Sequence, residues 1–241
     1  MRKYILLILA LAFISSVFIS CSKGNAGPAG AAGPAGAIDP DSTIVLNLQD
    51  GLNGYFGTTD TYIYNDCWSC TYGGDETMYI GNDDYGTARP LIRFDLSSIG
   101  ASSVTIKKVY LTLYAYDYGG TTVITPRALN TLWSEEYACW EYRDIDNNED
   151  WDPYYEIYGG SFQSAAMGGA VTVSGEGFIT LELNPAVVQT WLNIPSSNNG
   201  IILTSPYTEG ENYAGFFTRE AGHDYGDYSK NPKLTIHYTL N

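Results

Sequence analysis

The sequence predicts an all-β chain: a single jelly-roll-type antiparallel β-sandwich with one short helix. Three observations carry this. Short runs rich in β-branched and aromatic residues alternate apolar with polar at period two. Clusters of glycine, asparagine and aspartate separate those runs, as turns require. One stretch alone combines a helical spacing of apolar residues with a start signal.

The strand signals run along the chain as "RPLIRFDL" (89–96), "KVYLTLYAY" (108–116), "GFITLEL" (177–183), "GIILTS" (200–205) and "PKLTIHYT" (232–239). In the second, Val109, Leu111, Leu113 and Ala115 form one face, and Tyr110, Thr112, Tyr114 and Tyr116 the other. The helix follows Asn184, a capping residue, with Pro185 suited to its first turn. Val187, Val188, Trp191 and Leu192 then share one side, and the helix should end before Pro195. No internal repeat appears, so residues 38–241 are expected to form one domain.

The first 37 residues have another character. Arg2 and Lys3 precede an apolar run over residues 4–19 that holds no acid, which is the layout of a secretory signal. The run is shorter than the roughly 20 residues a membrane helix needs. "FISC", ending at Cys21, resembles the lipobox of bacterial lipoproteins, which implies a signal peptide over 1–20, acylation of Cys21 and a place on the outer membrane or cell surface. The alternative is an ordinary signal followed by an unmodified cysteine. Gly24, Gly27, Gly30, Gly33 and Gly36 then keep a period of three, with Pro28 and Pro34 among alanines. Five triplets are few for a collagen triple helix, so 21–37 reads as a semi-extended tether, with a trimeric stalk as the alternative.

Charge narrows the partners. Removing the signal leaves ten basic residues (12 − 2) against 27 acidic ones, a net charge near −17. A phosphate backbone would be repelled, which argues against nucleic acid. Such acidity favours solubility and divalent cations. Tyrosine is abundant, at 21 against eight phenylalanines, and offers a flat apolar ring with a polar tip. Beyond Cys21 three cysteines remain, Cys67, Cys70 and Cys139; in an exported chain two are expected to pair, and the sequence leaves open which. "CWSC" lacks both a thioredoxin-like βαβ setting and a following histidine for haem attachment.

The segments "LQDGLNGYFGTTDTYI", "LIRFDLSSI", "VYLTLYAY", "LWSEEYACWEY", "GFITLELNPAVVQTWLN", "NNGIILTS" and "FFTRE…NPKLTIHY" occur in this order. Together, over about 48–238, they resemble the DNRLRE domain, which is similar to the disaggregatase-related repeat and to carbohydrate-binding module family 96. The resemblance implies a jelly-roll sandwich in secreted and surface proteins, often accessory to polysaccharide-degrading enzymes, with some relatives associated with acidic polysaccharides.

Candidate sites follow. No nucleophile-elbow motif appears, and with 27 acids no carboxylate pair stands out by spacing, so no catalytic residue is assigned and the chain is not expected to be an enzyme. "DIDNNED" sets Asp144, Asp146, Asn148 and Asp150 at alternate positions as in a calcium loop, but lacks the glycine and terminal glutamate of an EF-hand; an irregular calcium site is the expectation, with hydrated turn formers as the alternative. "GNDDYG" (81–86) is a second such loop. For polysaccharide binding, Trp68 and Trp151 sit in polar loops and are the exposed candidates, with Tyr110, Tyr114 and Tyr116 as a flat face and Arg127 as a cation. Trp133, Trp140 and Trp191 are expected in the core, and Arg219 is expected to pair internally with Glu220. Polysaccharide is thus the leading partner, with the membrane met only through the lipid anchor. Self-assembly as a structural or adhesion protein is the alternative.

Overall fold

The computed structural model describes residues 43–100, 104–152, 158–208 and 210–241. The expected signal, Cys21 and the tether lie outside the described residues. Those described fall in one compact unit, Asp39–Asn241. In chain order the elements are β1 (Ile44–Leu48), β2 (Thr58–Tyr64), β3 (Thr77–Asn82), β4 (Thr87–Phe94), β5 (Val104–Gly119), β6 (Thr122–Leu129), β7 (Tyr142–Asp144), β8 (Glu149–Asp150), β9 (Phe162–Ala166), β10 (Val171–Val173), β11 (Gly177–Leu183), α1 (Pro185–Asn193), β12 (Ile201–Thr204), β13 (Asn212–Phe217), α2 (Arg219–Tyr225) and β14 (Lys233–Leu240).

The fold is all-β and sandwich-like, as the alternation predicts. Its strands form one hydrogen-bonded sheet in the order β1-β14-β5-β13-β3-β4-β12-β6-β10, with β11 on β5, β2 on β4 and β9 on β6; β7 and β8 make a separate hairpin. The sheet curls, and an antiparallel bridge between Gly168 and Leu183 ties the β10 side to β11. Strand β5 is the hub. Its first half pairs with β14, its middle with β11 and its end with β13. The predicted inner face, Val109, Leu111, Leu113 and Ala115, is buried against Ile80, Ile92, Leu203 and Phe216.

Helix α1 matches its prediction. The Asn184 side chain accepts a hydrogen bond from the Ala186 N–H at 3.0 Å, and Val188, Trp191 and Leu192 are buried. Helix α2 is a second short helix, which the apolar spacing does not announce because its seven residues present few apolar side chains.

A second, smaller core lies under the excursion between β6 and β9. Ile63, Leu91, Leu129, Trp133, Ala138, Trp140, Trp151 and Ile202 make it up. Trp133 and Trp140 are buried as expected. Trp151 is a correction: only 1% exposed, it cannot serve as a platform for a ligand. Its polar neighbours suggest a wet loop, but the indole joins the cluster of Ile63, Leu91, Trp133 and Trp140, and its N–H donates to the Cys139 carbonyl at 3.0 Å. The Arg89 guanidinium lies over Trp140, 4.8 Å from the ring centroid. Cys67 and Cys70 form the disulfide, and Cys139 is free and buried.

Trp151→Ala should destabilise the domain by about 3–5 kcal/mol, the scale for a large aromatic lost from a core. Trp68, half exposed, should change by no more than about 0.5 kcal/mol on the same substitution. Urea denaturation of the two variants tests this; equal effects would contradict a Trp151-centred second core.

Candidate functional site

A groove of about 370 Å³ opens where β2, β3, the end of β5 and the start of β13 meet. Tyr62, Tyr64, Tyr79, Tyr85 and Tyr213 line it, with the carboxylates of Asp83, Asp117 and Glu211, and no lysine or arginine is among the lining residues. The turn between β3 and β4 builds one wall. Asp83 fixes this turn by accepting from the backbone N–H groups of Tyr85 and Gly86 at 2.9 and 2.7 Å, and from the Tyr64 hydroxyl at 2.8 Å. Tyr85 projects from the turn and is 78% exposed. Burial, and next the Asp83 carboxylate beside it, push the Tyr64 phenol well above its ordinary range. Burial does the same for Tyr62, and for Tyr213 the Asp117 carboxylate is the main cause. These three hydroxyls therefore stay protonated through neutral pH and remain donors.

Two glycines let the rings lie where they do. A Cβ on Gly119 would come within 2.4 Å of the Tyr213 ring, and one on Gly215 within 2.9 Å of Tyr116 and 3.0 Å of Tyr79. The pairing of β5 with β13 jumps from Asp117↔Gly215 to Ala115↔Phe216, so Tyr116 is the extra residue of a bulge. Bulges re-aim side chains. Here the Tyr116 ring crosses over Gly215, and its hydroxyl donates to that of Tyr79.

A larger cavity of about 590 Å³ lies elsewhere, lined by Phe56, Arg93, Asp95, Glu135, Trp191 and Arg219 among others. Its polar groups are largely satisfied within the fold. Asp95 holds the N–H and hydroxyl of Ser97. Glu135 takes Arg219 in two bonds of 2.8 Å. The tyrosine groove is the better ligand site because aromatic rings, the largely exposed Tyr85 among them, line one concavity with the carboxylates of Asp117 and Glu211.

Behind the larger cavity lies a buried charge cluster. Asp60, Glu135 and Glu220 each bring a carboxylate oxygen within 4.8 Å of the others, the one such group among the described residues with the spacing to hold a metal ion. Arg219 supplies positive charge there: its side chain pairs with Glu135 and, at 2.9 Å, with Glu220, the internal pair expected from the sequence. Its backbone N–H donates to Asp60 at 3.1 Å. Asp60 is fully buried, and burial, then the nearby Glu220 and Glu135, hold its carboxyl well above the usual carboxylate range. Arg219 offsets one carboxylate charge of this cluster, which its side chain shares between Glu135 and Glu220.

The sequence candidates fall in several places. Tyr114 and Tyr116 are on the outer face of β5, and Tyr116 reaches the groove through Tyr79; Tyr110 lies edge-on against His237. Trp68 lines neither cavity and rests on Tyr158, 5.2 Å away. Arg127 lines neither cavity; its guanidinium donates to the Ser164 carbonyl and, at 3.2 Å, to Thr204 Oγ1. Asp144, Asp146, Asn148 and Asp150 belong to the β7–β8 hairpin. Asp144 accepts from the backbone and side chain of Asn147, and Asn148 adopts a left-handed φ of 54°, the behaviour of turn formers. Their acids are not gathered into an ion-sized cluster. "GNDDYG" is a groove wall, its Asp83 occupied by three donors. Sequence reasoning missed Tyr62, Tyr64, Tyr79, Tyr85 and Tyr213 because no local pattern links residues 62 and 213.

The family model of carbohydrate-binding module family 96 matches residues 55–150. Tyr62, Tyr64, Tyr79, Asp83, Tyr85 and Asp117 fall inside the match; Glu211 and Tyr213 lie beyond it. The match supports a carbohydrate-binding module, a class that binds rather than cleaves. No curated protein matches the chain.

The buried cluster sets a pH dependence. Asp60 keeps its proton to higher pH folded than unfolded, so its contribution is fully present below the unfolded value of about 3.9 and is lost as pH rises through the folded value. Glu220, raised mainly by burial, runs the same way. Asp60→Asn keeps an acceptor for the Arg219 N–H and does not titrate. Its stability should therefore gain on the parent as pH rises above about 4, by up to about 1.4 kcal/mol for each pH unit within the window. Urea midpoints across pH test this, and a gap independent of pH would contradict it.

Proposed function

We propose that this chain is a bacterial cell-surface lipoprotein whose folded domain holds extracellular polysaccharide without cleaving it. In this reading Cys21 carries the lipid, residues 21–37 form a spacer, and residues 38–241 form the binding domain on the outer membrane or cell surface. The observation that carries it is the groove: five tyrosines and three carboxylates converge from four strands. A sugar ring has an apolar C–H face, which packs on an aromatic ring, and a rim of hydroxyls, which bond to carboxylates and phenols.

The groove chemistry also chooses among polysaccharides. Three carboxylates with no cation among the lining residues repel a polyanion, so the ligand is a neutral polymer rather than an acidic one. Cleavage is disfavoured because Asp60, the fully buried carboxyl held above its normal range, is out of a substrate's reach. A second reading, self-assembly without a glycan, draws on β1, which pairs only with β14 among the described strands and leaves Val45 half exposed.

A polysaccharide array probed with the purified protein, in calcium and again in chelator, tests both. Binding to a neutral polymer is expected, with Tyr213→Ala and Tyr85→Ala each weakening it about tenfold or more, the scale for a truncated interface aromatic. Loss in chelator with the fold intact would make calcium part of the site. Binding confined to acidic polymers would overturn the charge argument, and silence across all polymers, with concentration-dependent association, would favour assembly.

A further inference from the structure

We propose that the groove is one end of a longer track crossing the outer face of the sheet to Phe178, so that the protein grips a polysaccharide along several sugar rings rather than at a chain end. The proposal rests on the reading of the groove as a carbohydrate site and extends it to chain length.

The track is a chain of aromatic rings. From the groove, Tyr213 and Tyr62 meet Tyr79 at centroid distances of 6.3 and 5.8 Å. Tyr79 meets Tyr116 at 6.2 Å, and Tyr116 stacks on Phe217 at 4.8 Å. Phe217 lies parallel to Tyr114 at 6.0 Å, and Tyr114 meets Phe178 at 4.9 Å. Tyr79, Tyr114, Tyr116 and Phe217 are partly exposed, in positions that alternate with the buried Met78, Ile80, Leu113, Ala115 and Phe216. The steps are comparable with the rise of one sugar along an extended chain.

Ring pairing between strands is ordinary sheet stabilisation. Two features exceed it. The band is continuous with the groove, whereas exposed apolar residues are normally scattered singly. At its far end Phe178, opposite Tyr114 in the β5–β11 register, remains 60% exposed. Polar groups flank the rings: the hydroxyls of Thr112 and Thr180 pair at 3.3 Å, and the Lys230 ammonium rides 4.5 Å above the centre of Tyr114. That cation on a flexible stem can turn aside and donate to hydroxyls.

The band's direction selects its occupant. It runs across β11, β5, β13 and β3, whereas an added peptide strand would lie along a sheet edge and use its backbone ladder. A molecule lying across the strands must be held by ring faces and hydroxyls, and a chain of sugar rings has both.

The test uses whichever polymer the array selects, intact and as size-sorted fragments from disaccharide to hexasaccharide, titrated calorimetrically against the purified protein. Affinity should rise with fragment length up to the hexasaccharide. Phe178→Ala and Tyr114→Ala should weaken hexasaccharide binding about tenfold and leave the disaccharide unchanged, whereas Tyr213→Ala should weaken both. Affinity that levels off at the disaccharide, with Phe178→Ala silent on the hexasaccharide, would overturn the track while leaving the groove intact. An array silent on all polymers would overturn both. Sedimentation showing a dimer that Phe178→Ala dissolves, with no effect on sugar binding, would mark the face as a self-contact and overturn the track. Circular dichroism melting of each variant separates lost binding from lost fold.

Discussion

The register of β5 is the constraint on which the rest depends. Sixteen consecutive extended residues, Val104–Gly119, hold β14, β11 and β13. Because side chains alternate with period two, a slip by one residue would place tyrosines in the core and leucines in water. Neither half of the strand can shift alone while three partners fix it. The pairing breaks twice, at Lys107 opposite β14 and at Tyr116 opposite β13, and at Tyr116 the bulge shortens the pairing by one residue. It occurs where the inner face has already ended in Ala115, so the core loses nothing and the outer face gains a redirected ring.

Charge is sorted by depth. The chain carries a formal net charge of −15, yet the acids meet different fates. Asp83 is spent on a turn and on one tyrosine. Asp60, Glu135 and Glu220 are drawn together around Arg219, joining β2, the loop after β6 and the start of α2. Asp117 and Glu211 remain on the groove wall. Overall acidity therefore says less about the groove than the placement of those two side chains. The buried cluster is costly to assemble and serves to join three distant segments; removing one partner would leave a charge uncompensated in the interior.

The fold was legible where burial follows a local rule. The alternation in 108–116 and the Asn184–Pro185 start of α1 each needed only nearby residues. Among the strands that local alternation does not announce, β2, β3 and β13 carry polar or glycine residues at buried positions: Asp60 and Thr61 in β2, Gly81 in β3, Gly215 in β13. Their burial is set by partners far along the chain, which a period-two scan cannot see. The candidate site was legible in part. Tyr114 and Tyr116 were placed on an outward face correctly, while the groove itself comes from a strand pair separated by more than a hundred residues. Trp151 shows where local polarity misleads: its sequence neighbours are polar, yet the indole is buried among residues distant in the chain, Ile63, Leu91 and Ile202 included.

Gly119 and Gly215 carry a consequence for how such a surface drifts. At Gly215 an added methyl group would meet the rings of Tyr116 and Tyr79 rather than backbone, and one of those rings would have to move aside. If the groove is the binding site proposed for it, that surface is written partly as missing atoms, a mould whose hollows are as informative as its ridges. A lineage could lose recognition by gaining one carbon at such a hollow while every aromatic residue and every core residue stayed in place, and a comparison that scores only the tyrosines would count that silent descendant as a functional binder.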